Sequence, residues 1–560
     1  MMEAPVPMQQ ARLDLIERHR DLIGEAIRAV EGRHAWSPFR DSPSTRIHGA
    51  EKPVAGKAAF EAQLGQRFEL NLPGIIDWVG AETSPYTGQA LGITYPRCEP
   101  EALIAAAESG WNDWAAASPD LRIALCLEMA VRLYEANFEM AQAIMHVAGQ
   151  SYTQAFSGSG PNALDRGIEA LAYAAKAMDD VPRTARYERD FGGEKVVLDK
   201  TYSLVPRGLG LVICCASFPT WNAYPALFAS LATGNPVIIK PHPIAILPMA
   251  IVARECRRVL ADFGFDPDLV TLAVDTLDEP VAQALIDHPA IQIIDFTGSP
   301  RYGGYLEQTV TGKLLFTETA GVNTVVVESV EALEPVARAI ARASCLFSAQ
   351  MCTSPQVIYV APGLHQAFGQ ELVRQIEAIA SDPLQAAGIM GAIQGEVSLK
   401  AVATVRGAVQ NRPGVQVLRE AVPYEHPQFS RARTLTPLVL SVEGSLPQLY
   451  AEEHFGPVLF VVRMDADAAV QEATHLARTK GSISSYLYST DEAFISRSTP
   501  HYERAGANLT INLTGAMWIN FAAAYSDYHV SGLNPAGNAC LADLAFVASR
   551  FRIVQRRRPA

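Results

Sequence analysis

The sequence predicts an α/β protein with a parallel sheet flanked by helices, and three observations support this fold class. The chain has 560 residues, 49% of them hydrophobic and 19% charged, which is enough to form the cores of two or more domains. Apolar residues recur at helical spacing between 101 and 149. Between 209 and 296, apolar stretches typical of buried strands alternate with helical stretches, the pattern of a parallel sheet that carries a nucleotide site.

The N-terminal part precedes this pattern and is interpreted as an extension packed on the main fold. It has a helical stretch from Ala11 to Glu31, followed by a segment from Trp36 to Gly56 whose Pro, Ser and Gly content predicts irregular structure.

A projecting β-hairpin is predicted before the alternating region. Residues 186–205 alternate charged and β-prone residues around Gly192 and Gly193. Because exposed strand edges tend to be paired, the β-prone stretch from Tyr525 to Val530 is a candidate partner for this hairpin.

The composition excludes several functional classes. A formal net charge of -13 at pH 7 argues against a general nucleic-acid binder. The first residues lack the pattern of a signal peptide, and no apolar run approaches the ~20 residues of a membrane helix. Eight cysteines at irregular positions indicate reduced thiols, with neither a disulfide framework nor a metal site. We therefore expect a cytoplasmic protein that contacts neither membrane nor nucleic acid.

Two segments have the features of a nucleotide site. Gly298 and Ser299 follow an apolar strand and precede a helical stretch that contains Gly303, an arrangement that lets backbone N–H groups approach a phosphate. Lys240 and His242 follow another apolar strand, at the sheet edge where such folds bind ligands. Taken singly, the segment with Gly298 and Ser299 is explained equally well by an ordinary turn. Lys240 taken singly is better explained as a surface lysine.

Two further segments have candidate catalytic residues. Glu318 follows an apolar strand among small neutral residues, a setting that suits a general base. Cys352 lies in a small, polar run, whereas Cys214 and Cys215 lie in an apolar strand and are interpreted as inert core thiols. The alternatives are a solvated loop glutamate and an unreactive cysteine. A third segment, with Glu453 and Phe455 before a strand, is by itself only a loop.

Together and in this order, these segments resemble the aldehyde dehydrogenase superfamily over roughly residues 80 to 550. The Phe-Thr-Gly-Ser, Glu-x-x-Gly, Gln-x-Cys and Glu-x-Phe-Gly-Pro elements are all present, with the family's spacing between Glu318 and Cys352. The resemblance implies that Cys352 is the nucleophile, that Glu318 is the general base, and that NADP or NAD is the cofactor. It assigns cofactor contacts to seven residues: Lys240, His242, Gly298, Ser299, Gly303, Glu453 and Phe455.

The chain departs from the family pattern at two positions. Ser217 stands where family members usually have an asparagine that helps to hold the oxyanion, and the nearby Asn222 is out of register. Pro243 stands where NAD-preferring members commonly have a glutamate that holds the ribose hydroxyls. Without that carboxylate, Lys240 or His242 can attract a 2′-phosphate, so NADP fits as well as NAD.

The resemblance also implies the domain organisation. We expect an N-terminal extension, a nucleotide-binding domain, a catalytic domain and a small β oligomerisation arm that builds a homodimer or homotetramer. Their ranges are 1–75 for the extension, 76–183 and 206–317 for the nucleotide-binding domain, 318–519 for the catalytic domain, and 184–205 and 520–560 for the arm.

Within the superfamily, the chain is most similar to a group of phenylacetate-catabolism proteins. The similarity is carried by the stretch Ser217 to Asn222, by the long N-terminal extension, and by the segments Ser84 to Tyr86 and Tyr95 to Arg97. It implies oxidation of an aldehyde, with a coenzyme A-linked semialdehyde as the candidate substrate. The alternatives are a dehydrogenase in which coenzyme A resolves the thioester, and a catalytically idle homologue that serves as a structural or partner-binding subunit.

Overall fold

The computed structural model describes residues 6–319, 321–517, 523–529 and 540–560. Its helices are α1 (Val6–Gly32), α2 (Thr45–His48), α3 (Glu51–Glu61), α4 (Pro100–Ala116), α5 (Pro119–Glu135), α6 (Asn137–Ala148), α7 (Tyr152–Ser157), α8 (Pro161–Asp179), α9 (Pro219–Ala232), α10 (Leu247–Asp262), α11 (Ala282–Asp287), α12 (Pro300–Thr309), α13 (Leu333–Cys345), α14 (His365–Ala380), α15 (Pro383–Met390), α16 (Glu396–Ala408), α17 (Pro447–Tyr450), α18 (Ala466–Lys480), α19 (Glu492–Ala505) and α20 (Ala545–Ala548). Short 3-10 helices span Pro267–Leu269 and Leu346–Ala349.

The strands are β1 (Ile75–Val79), β2 (Tyr95–Cys98), β3 (Thr184–Asp190), β4 (Lys195–Pro206), β5 (Leu209–Ile213), β6 (Val237–Lys240), β7 (Val270–Leu272), β8 (Ile291–Gly298), β9 (Leu314–Thr319), β10 (Thr324–Val327), β11 (Val357–Val360), β12 (Val415–Arg419), β13 (Leu438–Glu443), β14 (Val458–Arg463), β15 (Ser485–Tyr488), β16 (Leu509–Ile511) and β17 (Phe551–Pro559). β1 and β2 form a separate antiparallel pair.

A five-stranded parallel sheet occupies the region where strands and helices alternate in the sequence. Its strand order is β7-β6-β5-β8-β9. β5 and β6 are buried along their whole length, because helices cover both faces of a parallel sheet of this kind. The chain runs outward from β5 to β7 and then returns to start β8 on the other side of β5. This reversal opens a crevice at the carboxyl ends of β5 and β8, where doubly wound sheets bind ligands.

A seven-stranded sheet follows, in the order β12-β13-β14-β11-β10-β15-β16, and only the β12–β13 pairing is antiparallel. Successive residues of a strand face opposite sides of a sheet. Accordingly, Val326 packs in one hydrophobic core and its neighbours Val325 and Val327 pack in another. The sheet thus has a buried core on each face.

The predicted hairpin is present as β3 and β4, with Gly192 and Gly193 in its turn at φ values of 74° and 105°. Its C-terminal partner is β17, which pairs with β4 from Phe551 to Pro559. The prediction that Tyr525–Val530 would pair with the hairpin is wrong for residues 525–529, which form no strand. Val530 lies outside the described residues.

The N-terminal extension is more helical than the sequence predicted. α1 packs against α5 and α8. α2 and α3 occupy much of the segment that was expected to be irregular, and α3 packs on α6. None of the described helices combines the length and apolar content of a membrane span.

Candidate active site

A cavity of about 470 Å³ lies at the crevice between β5 and β8. Its volume is in the range of small-molecule sites. The ends of three strands contribute Ile213, Lys240 and Gly298 to its wall. Nine of the ten site residues predicted from the sequence or from the resemblance line this cavity: Ser217, Lys240, His242, Gly298, Ser299, Glu318, Cys352, Glu453 and Phe455. The tenth, Gly303, does not line it.

The turn from β8 to α12 has the form that a phosphate requires. The Ser299 hydroxyl accepts a hydrogen bond from the Tyr302 N–H at 3.3 Å and caps α12, which begins with Pro300. A Cβ on Gly303 would lie 2.5 Å from Thr319 Cγ2, so glycine lets α12 approach β9 closely. Gly303 is therefore a packing residue beneath the turn, while Gly298 and Ser299 face the cavity.

Lys240 is not a free cation. Its ammonium Nζ lies 2.7 Å from Asp275 Oδ1, and both side chains are buried. Asp275 also accepts a hydrogen bond from the Val281 N–H at 3.1 Å. Burial, reinforced by Lys240, lowers the pKa of His242 to about 4, so this imidazole is neutral at pH 7. The expectation that Lys240 or His242 would attract a 2′-phosphate is therefore not supported. The Asp275 carboxylate balances the charge of Lys240, and His242 is uncharged.

Cys352 lies where two cavities meet. It lines the cavity at the sheet edge and also a second cavity of about 430 Å³, which extends between α7, α9 and the loop before β11. Phe218 is the other residue common to both walls. Trp221, Leu346 and Met351 form an apolar part of the wall of the second cavity. A thiol at this junction can contact a molecule in the first cavity and a molecule in the second.

The segment before Cys352 is conformationally strained. Phe347, Ser348 and Ala349 have φ values of 49°, 49° and 54°, a left-handed conformation that costs about 1–3 kcal/mol for each non-glycine residue. The Ser348 hydroxyl donates to Met390 O at 3.1 Å, and Gln350 Nε2 donates to Phe347 O at 3.1 Å. These buried contacts hold the strained backbone in place.

Asn323 fixes the backbone of Cys352 itself. Its Nδ2 donates to the carbonyl oxygens of Cys352 and Ser354 at 2.7 and 3.0 Å. Its Oδ1 accepts from the N–H groups of Ile483 and Ser484, each at 3.0 Å. This one amide thus ties the Cys352 loop to β10 and to the turn before β15.

Glu318, His529 and Cys352 form a compact group. His529 Nε2 lies 2.8 Å from Glu318 Oε1 and 3.7 Å from Cys352 Sγ. The His529 and Glu318 side chains are both 2% exposed. Burial is the main cause that raises the pKa of the Cys352 thiol well above its usual range, and the carboxylates of Glu318 and Glu453 raise it further. Arg166 offsets only part of this effect. The thiol is therefore protonated at rest and needs a base before it can act as a nucleophile.

The wall beside Cys352 has two side chains that can donate a hydrogen bond. Ser217 follows β5, and its carbonyl accepts from Gln150 Nε2 at 2.8 Å. Asn222 lines the same cavity, with Nδ2 3.8 Å from Cys215 Sγ. The first turn of α9 returns Asn222 to this wall although it is out of register in the sequence. Cys214 and Cys215 also line the cavity, and burial raises the pKa of both thiols above the usual range, so their interpretation as unreactive thiols stays a prediction.

Glu453 and Phe455 close the cavity from the catalytic side. Burial raises the pKa of Glu453 to about 7. Its carboxyl group therefore changes charge within the physiological pH range, unlike an exposed glutamate.

Three residues of the site were not predicted from the sequence: Asp275, Asn323 and His529. Asp275 follows a short strand, as ligand-contacting residues of such sheets often do. Asn323 lies two positions after the Glu-x-x-Gly element, so its closeness to that motif could have marked it as a candidate site residue. His529 lies in no motif, and its stretch was interpreted as part of the arm.

The chain is similar to known proteins over most of its length. The family model described as the aldehyde dehydrogenase family matches residues 81–531. A crystal structure of an NAD-dependent aldehyde dehydrogenase from Burkholderia multivorans is 40% identical, with a TM-score of 0.93 over 98% of this chain and 99% of that chain.

Two curated relatives are more distant. 1-Pyrroline-5-carboxylate dehydrogenase 2 of Bacillus subtilis is 22% identical over 509 residues, which are 86% of this chain and 92% of the relative. For 3,6-anhydro-alpha-L-galactose dehydrogenase of Streptomyces coelicolor, 286 residues align at 27% identity, covering 49% of this chain and 56% of the relative. The family match over most of the chain and the full-length similarity to the Burkholderia structure lead to one conclusion: the chain belongs to the aldehyde dehydrogenase family.

Proposed function

We propose that this protein oxidises an aldehyde to the carboxylic acid with a nicotinamide dinucleotide, using Cys352 as the nucleophile and Glu318 as the base that activates water. The observation that carries the proposal is the position of Cys352, which lines both the cavity at the nucleotide-binding edge of the sheet and the second cavity beside it. A dinucleotide in the first and an aldehyde in the second would meet at this sulfur.

The residues around Cys352 match the first half of this reaction. The thiolate adds to the carbonyl carbon, and the electron pair of the C=O bond moves to oxygen. Ser217 and Asn222 are the candidate donors for the resulting oxyanion, since both line this wall and each side chain can donate a hydrogen bond. A dinucleotide bound in the first cavity would supply the hydride acceptor. Cys352 would then hold the oxidised acyl group as a thioester.

Glu318 serves the second half. Its carboxylate takes a proton from water, the hydroxide adds to the thioester, and the C–S bond breaks as the acid forms. The burial of Glu318 beside Cys352 supports this role, because a water molecule between them would be shielded from bulk solvent. A dehydrogenase that passes its acyl group to coenzyme A has no need of this carboxylate.

The residues of the first cavity fit a dinucleotide. Ser299 and the N-terminus of α12 provide backbone N–H groups for a pyrophosphate, and Lys240 lies at the end of β6 for the adenine ribose. Glu453 and Phe455 are assigned to the nicotinamide end. The Lys240–Asp275 pair favours NAD over NADP, since Asp275 would repel a 2′-phosphate. The Burkholderia relative is described as NAD-dependent.

The proposed substrate rests on the residues that line the second cavity and on the sequence resemblance. The cavity wall is apolar near Phe218, Trp221 and Met351, which suits an aldehyde with a hydrocarbon or aromatic stem. The sequence resembles a group of phenylacetate-catabolism proteins, and this group is similar to a dehydrogenase domain that acts on a coenzyme A-linked semialdehyde. Such a semialdehyde of aromatic catabolism is the proposed substrate.

The arm is proposed to build a homodimer or homotetramer. β3 is an exposed edge strand, and Ile553 and Val554 on β17 expose 55% and 49% of their surface. Open edges and exposed apolar residues are features of a surface that pairs with another copy. Light scattering after gel filtration measures the mass directly, and a monomeric result contradicts this proposal.

A reduction assay tests the enzymatic proposal. Purified protein is given NAD or NADP with short aliphatic aldehydes, aromatic aldehydes and coenzyme A-linked semialdehydes, with and without free coenzyme A. The expected result is reduction of the dinucleotide that needs no free coenzyme A and is abolished in Cys352→Ala. A requirement for free coenzyme A would identify the acylating alternative. No reduction and no aldehyde adduct on Cys352 would identify an idle homologue.

A further inference from the structure

We propose that His529 is a positioning residue that holds the Glu318 carboxylate in place for hydrolysis of the thioester. The inference rests on the proposed function and assigns this role to a residue outside the sequence motifs. It starts from one contact, because His529 Nε2 lies 2.8 Å from Glu318 Oε1 and each side chain is 2% exposed.

The partners of the imidazole identify its hydrogen-bond donor. Glu318 Oε1 is an acceptor for Nε2, and Nδ1 has no hydrogen-bond partner among the described residues. Nε2 therefore carries a hydrogen and donates it to the carboxylate. A hydrogen bond to an ionised group is stronger than one between neutral groups. This bond restricts the rotation of the Glu318 side chain, which is otherwise free to turn about its own single bonds.

The two carboxylate oxygens of Glu318 differ in their contacts. Oε1 accepts from His529, whereas Oε2 is buried and has no hydrogen-bond partner within the described part of the chain. A carboxylate oxygen of Glu318 lies within 4.8 Å of Cys352 Sγ, close enough for one water molecule to reach both groups. We therefore assign Oε2 to the attacking water, and the bond at Oε1 keeps Oε2 beside the sulfur that carries the acyl group.

The segment that carries His529 is itself attached to the rest of the fold. The Tyr525 N–H donates to Glu169 Oε2 on α8 at 2.7 Å. The Trp221 ring lies edge-on to the imidazole, with ring centroids 5.7 Å apart. A site residue keeps its geometry when its own support is held by packing and hydrogen bonds, and these contacts give His529 that support.

The proposed role belongs to the second half of the reaction only. Water gives one proton to Glu318, its oxygen bonds to the acyl carbon, and the C–S bond breaks. The proton then passes from Glu318 to the sulfur, which restores the thiol, while His529 keeps its own hydrogen throughout. Loss of the His529 contact should therefore slow the release of the acyl group and spare its transfer to Cys352.

The variants differ in whether they can donate a hydrogen bond to Glu318. His529→Leu keeps a side chain of similar size without a donor, and His529→Ala is a second donor-free variant. His529→Gln keeps an N–H donor in place of Nε2. His475→Leu is the matched control, because His475 is an exposed histidine on α18. Thermal unfolding shows which variants are folded.

The probe is 4-nitrophenyl acetate, an activated ester that acetylates a reactive thiol without a dinucleotide. Release of 4-nitrophenolate in the first turnover measures formation of the thioester, and loss of the acetyl mass from the Cys352 peptide measures its hydrolysis. We expect His529→Leu to slow hydrolysis about 10–100-fold and to leave formation within about threefold, since a displacement of about 1 Å can cost about 100-fold in rate. His529→Gln should restore hydrolysis to within about fivefold of the wild type.

A double variant tests whether His529 acts through Glu318. If it does, adding His529→Leu to Glu318→Gln should slow hydrolysis by no more than about twofold beyond Glu318→Gln alone. An effect that His529 exerts through packing elsewhere would instead add in full to the effect of Glu318→Gln.

Each of four results would overturn the proposal. They are hydrolysis at the wild-type rate in His529→Leu, equal slowing of formation and hydrolysis, no recovery in His529→Gln, and full additivity in the double variant. Failure of the wider proposal gives different results. Unchanged hydrolysis in Glu318→Gln would show that Glu318 is not the base, and an unchanged release of 4-nitrophenolate in Cys352→Ala would show that Cys352 is not the nucleophile.

Discussion

Three carboxyl groups of the site differ in their surroundings, and this difference assigns them different tasks. Glu318 contacts an imidazole, Asp275 contacts an ammonium group, and the pKa of Glu453 is raised to about 7 by burial. Two predictions concern single side chains of this set.

The first concerns cofactor choice. Asp275→Asn removes the negative charge beside Lys240 and should raise kcat/KM for NADP about tenfold, equivalent to roughly 1.4 kcal/mol. Steady-state assays with both dinucleotides measure this change. Asp278→Asn is the matched control, since it removes the same charge from an exposed position nearby. An unchanged NADP preference in Asp275→Asn would show that Asp275 does not face the ribose phosphate.

The second concerns pH. Because the pKa of Glu453 is raised to about 7, its carboxyl group is mostly neutral at pH 6 and mostly ionised at pH 8. An ionised carboxylate is the better acceptor for ribose hydroxyls. KM for NAD should therefore fall as pH rises through 7, and Glu453→Gln should flatten this dependence. The exposed Glu452→Gln should keep the wild-type profile, and a flat profile in the wild type would refute the assignment.

At the scale of elements, the Cys352 loop depends on its neighbours more than on its own sequence. Asn323→Ala removes two hydrogen bonds to the loop and two to the turn before β15. A displacement of about 1 Å can cost about 100-fold in rate. We expect kcat to fall by about 10–100-fold with little change in NAD affinity, measured by steady-state kinetics and fluorescence titration.

The exposed Asn71→Ala is the control for this substitution. If kcat in Asn323→Ala stays within twofold of the wild type, the strained segment and Gln350 alone position the nucleophile.

Local elements were predictable where their pattern is strong. The alternation of apolar strands with helices indicated the five-stranded sheet, and Gly192 and Gly193 marked the hairpin turn, which needs left-handed backbone. The helices α2 and α3 were missed because the Pro, Ser and Gly content of their segment predicts irregular structure. Packing of α3 against α6 outweighs that weak local preference.

Site residues could be predicted only where they lie within a recognisable sequence motif. Cys352, Glu318 and Ser299 lie in short segments with a recognisable order. His529 is brought to Cys352 across the fold from a stretch whose β propensity suggested a strand. Asp275 is paired with Lys240 through the packing of β6 against β7. Contacts of this kind depend on the tertiary structure and leave no local signal.

At the scale of the whole molecule, Arg550 joins the C-terminal segment to the nucleotide-binding sheet. Its guanidinium binds both carboxylate oxygens of Asp295 on β8, at 2.6 and 2.8 Å, and donates to Ser230 on α9 at 2.7 Å. Arg550 is fully buried, so removing it leaves an uncompensated carboxylate inside the protein.

Arg550→Ala should therefore lower the free energy of unfolding by about 3–5 kcal/mol, measured by urea denaturation. Arg552→Ala changes an exposed arginine on the same segment and should have an effect within about 0.5 kcal/mol. Equal stability of the two variants would show that the C-terminal segment does not stabilise the sheet.

The central claim is that one thiol takes up the acyl group and one carboxylate releases it. Intact-protein and peptide mass spectrometry of Glu318→Gln, mixed with aldehyde and NAD, tests this claim most directly. The account predicts a single stoichiometric burst of reduced dinucleotide and an acyl adduct that accumulates on Cys352. A burst without an adduct, or an adduct on Cys215 in place of Cys352, would contradict it.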